Sequence, residues 1–328
     1  MPLWQGQVLR HRRAVRGRTL RCLHGDDSSR IVGLGDGGLV IVGHRQQQQL
    51  RLRAQIAHPH AALQQRQQLR CLQRPRRLRE HDNCVTNDPY SGFVCTHTPD
   101  MHIWKPIFYD DEIVCFAVGH IHNTDVGGAV PASLSRTLSE VHQEGIRIPP
   151  TKIVRGGEVN QEVLDILLTN VRMPEQNWGD MKAQLAAVNT GERKVLEMIE
   201  KFGADTFRQG IDDLLDYAES QARDIIRDLP DGEYFFADYM DEDSVDGWPC
   251  RIALNLIIEG ESCTLDFATS DPQLESSMNI PTGGEERHVM MLVGLVYVLY
   301  TLDPRLFLNS GVTRVSRCIL PSGTIVNP

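Results

Sequence analysis

The first 80 residues of this 328-residue chain contain no lysine, phenylalanine, tyrosine or asparagine. Sixteen arginines stand there against four acidic residues, so the segment carries a formal charge of +12 while the remainder carries −21. A folded domain needs apolar residues at periodic spacing, and surfaces that bind single-stranded nucleic acid need aromatic side chains for stacking. The scarcity of both argues against a folded N-terminal domain and against nucleic-acid binding.

Three interpretations of residues 1–83 follow from this composition. An Arg/Gln-rich stretch without lysine is low-complexity sequence. It is either not native, such as an upstream region read in the wrong frame, or a disordered tail, or a basic arm that binds nucleic acid. We predict a non-native or disordered segment at 1–83, followed by a domain at 84–328 that is truncated at its C-terminus.

Other absences narrow the class of protein. The eight cysteines form no C-x-x-C pair, which argues against zinc-ribbon and thioredoxin-type sites. The longest apolar run, Val289–Leu302, is too short to span a bilayer and predicts a buried helix, and Met1–Leu20 lacks the apolar core of a signal peptide. We therefore expect a cytoplasmic protein with no membrane partner.

Beyond residue 84 the hydrophobic periodicity predicts an α+β fold, with mixed sheets and amphipathic helices. The expected helices are Glu158–Val171, Asp180–Phe202, Asp205–Asp228 and about 285–302. The expected strands are Ile103–Phe108, Ile113–Val118, Tyr234–Tyr239, Arg251–Ile258, Cys263–Ala268 and Val312–Leu320.

Two polar segments flank the first pair of strands. Thr96-His97-Thr98-Pro99-Asp100 precedes it and His122-Asn123-Thr124-Asp125-Val126-Gly127-Gly128 follows it. Because a hairpin returns the chain to its start, Asp100 and His122 should become neighbours. Two imidazoles and a carboxylate on turns are typical donors of a mononuclear metal site, although unrelated histidines remain the alternative.

Six strings that occur in order carry a resemblance to a known family. They are Asn87-Asp88-Pro89-Tyr90, the two segments above, Gln143-Glu144-Gly145-Ile146-Arg147-Ile148-Pro149-Pro150, Asn170-Val171-Arg172-Met173-Pro174-Glu175 and Gly179-Asp180-Met181-Lys182-Ala183-Gln184. The series resembles the hydantoinase B/oxoprolinase family, which includes N-methylhydantoinase B subunits, the C-terminal half of 5-oxoprolinase and subunits of acetone and acetophenone carboxylases. The resemblance covers about residues 84–328.

The resemblance implies a metal centre and a partner. His97, Asp100 and His122 correspond to a His-x-x-Asp pair and a downstream His that hold a divalent metal, for which Zn²⁺, Mn²⁺ and Fe²⁺ all suit the donors. His120 is a second-choice ligand, because a strand directs it to the same side as His122. An A-type subunit would use ATP, consistent with the lack of a G-x-x-x-x-G-K-[S/T] loop in this chain.

Further residues are candidates for catalysis or substrate binding by the same resemblance. Asp125 is either an acceptor for a ligating imidazole or the start of the Gly127–Gly128 turn, and Glu144 is either a general base or the ion-pair partner of Arg147. Four residues could bind substrate, and the third is also a natural helix cap: Asn170, Arg172, Asp180 and Gln184.

Beside nucleic-acid binding by the basic N-terminal segment, which its composition argues against, three functions compete. The first is the B-type subunit of an ATP-dependent cyclic amidohydrolase, which opens hydantoin or 5-oxoproline rings within a hetero-oligomer. The second is a subunit of an ATP-dependent ketone carboxylase, and the third is a truncated fragment without catalysis. The motifs are common to the first two, so the substrate, a cyclic amide or a ketone, stays open.

Overall fold

The computed structural model describes residues 40–43, 78–91 and 96–328. The predicted α+β class is confirmed, because this part of the chain contains α-helices, one antiparallel sheet and one mixed sheet. Predictions for residues 1–39 and 44–77 lie outside the described residues. The boundary at residue 83 stays a prediction, although a short strand at Val40–Gly43 falls within the segment assigned there to low complexity.

The described residues form ten strands and four α-helices. The strands are β1 Val40–Gly43, β2 Asn83–Thr86, β3 Asp100–Tyr109, β4 Glu112–His122, β5 Thr151–Arg155, β6 Glu158–Val159, β7 Gly232–Met240, β8 Cys250–Glu259, β9 Ser262–Asp266 and β10 Ser316–Ile319. The helices are α1 Gln161–Asn170, α2 Pro174–Phe202, α3 Ala204–Arg227 and α4 Val289–Leu302.

The first sheet has the strand order β1-β4-β3-β2-β5-β6 in the described part, and its centre is the predicted hairpin. Asp110 and Asp111, with φ angles of 51° and 63°, form its two-residue turn. Positive φ at both positions matches the twist of antiparallel strands, and aspartate tolerates it better than most residues do. The strands extend beyond the predicted bounds, to Asp100 at one end and His122 at the other.

The two faces of this hairpin have different neighbours. On one face Met101, Ile103 and Ile107 pack into a buried cluster with Val188 and Ile199 of α2. Burying each such side chain stabilises the fold by about 1.5–3 kcal/mol. The alternate residues Asp100, His102 and Trp104 point to the opposite face, because side chains along a strand alternate. The packing of α2 therefore directs Asp100 away from the apolar core.

Two predicted helices begin at different residues in the structure. The first starts at Gln161, because Glu158 and Val159 pair with β5 as a strand. The second starts at Pro174 rather than Asp180, since proline is favoured in the first turn, where its missing N–H costs nothing. Asp180 therefore lies inside α2, and the prediction that it caps the helix is wrong.

The second sheet has the order β10-β9-β8-β7 within the described residues, with β10 parallel to β9. The predicted strand Val312–Leu320 is wrong in its first half, where Ser310–Val315 form a 3-10 helix that Asn309 caps by accepting a hydrogen bond from the Gly311 N–H. The side-chain acceptor competes with strand pairing and favours this turn.

The predicted helix at 285–302 is present as α4, but it is buried on one side only. Leu292 and Leu299 are fully buried, whereas Val293, Tyr297 and Val298 are exposed. An apolar sequence alone therefore overestimated the burial of this helix. Among the described residues, no helix combines the length and hydropathy needed to cross a membrane.

Candidate metal centre

The hairpin brings the predicted ligands together. Asp100 and His122 are directly opposite each other in the β3–β4 register. One ligand atom from each of His97, Asp100 and His122 lies within 4.8 Å of the other two, and the His97 and His122 rings meet edge to face with centroids 4.9 Å apart. The predicted proximity of Asp100 and His122 is confirmed, and His97 joins them from the loop before β3.

The two oxygens of Asp100 have different surroundings. Oδ2 accepts hydrogen bonds from the Thr96 backbone N–H at 3.2 Å and from its Oγ1 at 3.1 Å. Oδ1 faces Nε2 of His97 and Nε2 of His120, each at 3.3 Å. Thr96 therefore fixes the carboxylate in one orientation, and it leaves the oxygen that faces the imidazoles for another partner.

Oδ1 of Asp100 does not form a well-oriented hydrogen bond with either of the imidazole nitrogens next to it. Nε2 of His97 and Nε2 of His120 are both buried, and neither forms a hydrogen bond with correct geometry within the described part of the chain. Leaving a buried polar nitrogen without a partner costs about 1–3 kcal/mol. A divalent cation between these atoms would satisfy them, so the donor set and its geometry fit a metal ion.

The electrostatic environment of the cluster favours the ionised form of Asp100 and the protonated form of His97. Burial opposes ionisation of Asp100, but the contacts with His120, His97 and Thr96 outweigh it and hold the Asp100 pKa well below its usual range. Burial likewise opposes the protonated form of His97, yet Asp100 raises the His97 pKa. Asp100 is therefore a carboxylate at neutral pH, as a metal ligand must be.

A fourth imidazole, His102, was missed by sequence reasoning. His102 is the register partner of His120, and their ring centroids lie 4.6 Å apart. Burial and the neighbouring His120 lower the His102 pKa to about 4, so this ring is neutral at physiological pH. The spacing Asp100-x-His102 opposite His120-x-His122 would have revealed it, because residues two apart on paired strands share a face.

Glu144 lies beside the cluster, and its partner is not the predicted Arg147. Its Oε2 accepts a hydrogen bond from the Thr98 backbone N–H at 3.0 Å. Arg147 instead contacts Asp88, with Nε 3.5 Å from Oδ1, so the predicted Glu144–Arg147 pair is wrong. Burial raises the Glu144 pKa despite the Thr98 hydrogen bond. Its role as a general base stays a prediction.

Asp125 is a buried carboxylate whose hydrogen bonds hold the chain after His122. Its oxygens accept hydrogen bonds from the backbone N–H groups of Gly127, Ala132 and Arg172, and from Nη1 of Arg172 at 2.8 Å. The turn is close-packed, since a Cβ on Gly127 would lie 2.3 Å from the Asn170 carbonyl oxygen. These partners match the turn interpretation, and the catalytic role of Asp125 stays a prediction.

The other candidate substrate ligands hydrogen-bond to the protein itself. Asn170 donates to the Ile166 carbonyl, Arg172 to the carbonyls of Gly127, Gly128 and Val130, and Gln184 to the Met101 carbonyl. None of them lines the cavity next to the cluster. The Gln184 bond connects α2 to the hairpin, and the Arg172 bonds connect the segment between α1 and α2 to the turn after His122, whereas the Asn170 bond lies within α1.

Two of the cavities in the described part of the protein differ in their distance from the cluster. The larger, of about 790 Å³, is lined by α3 and the residues around the end of α4, with none of the cluster residues among them. The smaller, of about 240 Å³, also has none of the three proposed ligands among its lining residues, but it is lined by Thr96, which hydrogen-bonds Asp100, and by Glu144, which hydrogen-bonds Thr98. Proximity to the donors makes the smaller cavity the relevant one despite its size.

Two imidazoles and a carboxylate at one end of a hairpin, beside a cavity, define a candidate open mononuclear metal centre on an α+β scaffold. The sequence model of the hydantoinase B/oxoprolinase family matches residues 41–328. The chain therefore belongs to the hydantoinase B/oxoprolinase family. The match with the family model begins at residue 41, whereas the resemblance based on motifs covers about residues 84–328.

Individual relatives agree with this assignment. A protein from Pseudomonas sp. (strain NS671), named provisionally as a B-type D-/L-hydantoinase subunit, is 34% identical over 257 residues, which are 75% of this chain and 43% of the relative. The crystal structure of the ATP-dependent caprolactamase from Pseudomonas jessenii superposes with a TM-score of 0.71 at 32% identity, covering 80% of this chain and 45% of that one. This chain thus spans less than half the length of these relatives.

A nucleotide-free acetone carboxylase structure shares the fold alone. It superposes with the same TM-score of 0.71, but at 18% identity, over 85% of this chain and 36% of the carboxylase chain. At that identity the likeness extends to the arrangement of strands and helices and says nothing of the reaction.

Proposed function

We propose that the chain is the metal-containing B-type subunit of an ATP-dependent cyclic amidohydrolase, which opens a hydantoin, 5-oxoproline or related lactam ring. The observation that carries this proposal is the cluster of His97, Asp100 and His122, whose ligand atoms lie within 4.8 Å of one another. Identity of 34% and 32% to the hydantoinase and caprolactamase proteins, against 18% to acetone carboxylase, supports an amide substrate over a ketone.

Three side chains would provide the ligands of the metal ion. His97, Asp100 and His122 would hold a divalent ion, and His120 is the second-choice ligand. The ion would supply Lewis-acid chemistry to the amide carbonyl, and Zn²⁺, Mn²⁺ and Fe²⁺ all suit two imidazoles and a carboxylate. Thr96 holds Oδ2 of Asp100, so Oδ1 is oriented before any ion arrives.

Glu144 would transfer the proton in the reaction. Ring opening requires a bond from a water oxygen to the carbonyl carbon and cleavage of the ring C–N bond. Glu144 would accept the proton from that water and return it to the amide nitrogen. Its position against Thr98 and its pKa, which burial raises, support this role as a base. Asp125 would act as a positioning residue through the turn after His122.

The proposed assembly is a cytoplasmic hetero-oligomer with an A-type subunit that uses ATP. The sequence contains no G-x-x-x-x-G-K-[S/T] loop, which supports ATP use by a partner. The alternative activity, carboxylation of a ketone, would use the same metal ligands. A reconstituted pair of subunits would separate the two, because hydrolysis consumes a lactam with ATP alone, whereas carboxylation requires bicarbonate and a ketone.

Metal analysis of the purified chain tests the proposal directly. We expect about one Zn, Mn or Fe per chain, and loss of that metal in His97→Ala. His142→Ala is the matched control, because His142 is an exposed histidine outside the cluster. Well-folded protein without stoichiometric metal, or equal metal in both variants, would refute the proposal and favour a non-catalytic fragment.

A further inference from the structure

The cavity of about 240 Å³ beside the metal cluster has walls from distant parts of the chain. Thr96 and Glu144 form the wall next to the cluster, and residues 273–279 form the opposite wall. Thr96 also hydrogen-bonds Asp100, and Glu144 hydrogen-bonds Thr98. A molecule in this cavity would therefore lie next to the residues that orient the metal ligands.

The opposite wall is held in place by its own hydrogen bonds. Asn279 accepts from the Leu274 N–H and donates to the carbonyls of Leu274 and Ser276. Ser277 Oγ donates to the Ser135 carbonyl at 2.9 Å, which connects this loop to the loop after the Gly127–Gly128 turn. The wall is thus formed before a ligand binds, which lowers the entropic cost of binding.

One buried hydroxyl on this wall has hydrogen-bonding capacity left. Ser276 is 5% exposed and lines the cavity. Its Oγ accepts a long hydrogen bond of 3.4 Å from the Met278 N–H. No acceptor for its own proton is found among the described residues. The Ser276 hydroxyl can therefore donate to a carbonyl oxygen in the cavity, which would relieve an unpaired buried donor.

The charges that line the cavity all have one sign. Glu140, Glu144 and Glu275 contribute carboxylates, and neither lysine nor arginine is among the lining residues. Carboxylates accept hydrogen bonds from N–H groups, and they repel a bound anion in a partly enclosed site. The cavity is thus complementary to a ligand that has N–H donors and no negative charge.

We infer that this cavity is the substrate pocket of the proposed amidohydrolase and that it selects an uncharged cyclic amide over one that bears a carboxylate. The inference rests on the proposed function for the identity of the reaction. The Ser276 hydroxyl donates to one lone pair of the ring carbonyl oxygen, whose second lone pair stays available to the ion, and Glu140 and Glu275 accept the ring N–H. The volume, below the roughly 300–1,000 Å³ of pockets for drug-sized ligands, admits a single small ring.

Ligand binding to the purified full chain, measured by calorimetry or ligand-observed NMR with and without Zn²⁺, tests the selection. Caprolactam and hydantoin should bind at least about tenfold more tightly than 5-oxoproline, whose carboxylate meets the three glutamates. Glu275→Lys should reduce or reverse that preference. Glu200→Lys makes the same change of charge on an exposed residue of α2 outside the cavity, and it should leave the preference unchanged.

The outcomes separate this inference from the proposed function. Tighter binding of 5-oxoproline than of the neutral rings, or an equal effect of both lysine variants, would overturn the inference. Stoichiometric metal in the same preparation would leave the proposed metal centre intact in that case. Conversely, selective binding of neutral rings by protein that takes up no metal would support the pocket and refute the metal centre.

Discussion

Asp100 and Asp125 are two buried carboxylates, the first at the start of β3 and the second shortly after β4. They differ in how fully their oxygens and neighbours are hydrogen-bonded. The oxygens of Asp125 accept four hydrogen bonds from protein donors, one of them charged. Asp100 has Thr96 on one oxygen and two imidazole nitrogens without hydrogen-bond geometry on the other. Full satisfaction is typical of a carboxylate that stabilises the fold, whereas the unsatisfied imidazole nitrogens beside Asp100 support its proposed role as a metal ligand.

The largest expected effect comes from Asp100→Asn. Replacing the anionic ligand by a neutral amide should weaken metal binding by about 100-fold or more, because a divalent ion strongly prefers a carboxylate oxygen. The free energy of unfolding of the apo protein should fall as well, because the lowered pKa of Asp100 means that its ionised form stabilises the folded state. Metal titration and urea unfolding of the same preparation measure the two effects. A loss of stability without a loss of metal affinity would contradict the assignment of Asp100.

Asp125→Asn should lower stability without lowering metal affinity. Removing the charge from a buried ion pair typically costs about 3–5 kcal/mol, and the partly exposed Arg172 reduces this to about 2–3 kcal/mol here. Metal affinity of the folded protein should stay within about threefold of the unaltered chain. Chemical denaturation measures the first quantity. If metal affinity falls as far as in Asp100→Asn, the contrast between the two carboxylates fails.

Thr96→Val tests, with a smaller expected effect on metal affinity, whether Asp100 must be held in one orientation. The substitution removes the Oγ1 hydrogen bond to Asp100 and keeps the backbone N–H bond, so the carboxylate is less firmly oriented. Loss of a residue that orients a metal ligand typically lowers affinity by about tenfold or more. Competition with a chelator measures this, and Thr137→Val at an exposed position is the control. Equal affinities in both variants would show that Thr96 has no orienting role.

The smallest effect concerns pH. Burial opposes ionisation of Asp125, but hydrogen bonds from Arg172, Gly127 and Ala132 lower its pKa below the usual 3.8. Its stabilising contribution is therefore complete above pH 3.8 and is lost as the pH falls through the lower pKa of the folded state. The difference in unfolding free energy between the unaltered chain and Asp125→Asn should shrink only below about pH 4. A difference that already shrinks between about pH 5 and 7 would contradict this.

The local part of the site could be predicted from sequence, and the long-range part could not. Alternating apolar residues around Asp110 and Asp111 predicted the hairpin and hence the approach of Asp100 to His122. Glu144 was expected to pair with Arg147, three residues away, but its partner is Thr98. That contact depends on how two loops pack, which no periodicity encodes.

The same distinction applies to the elements of the fold. Helical periodicity found α2 and α3 and the break at Gly203 between them. It could not find the 3-10 helix at Ser310–Val315, because apolar residues there suit either a strand or a tight turn. The cavity was equally hidden, since its walls come from segments more than 100 residues apart.

The turn at Asp110–Asp111 has a consequence for which insertions the protein tolerates. Side chains alternate along β3 and β4, so one residue added between Asp100 and Tyr109 would either push Asp100 out of register with His122 or rotate it toward α2. An added residue at the turn itself would only lengthen the connection between the two strands. Length variation among related sequences should therefore concentrate at this loop tip and be absent from the two strands that carry Asp100 and His122.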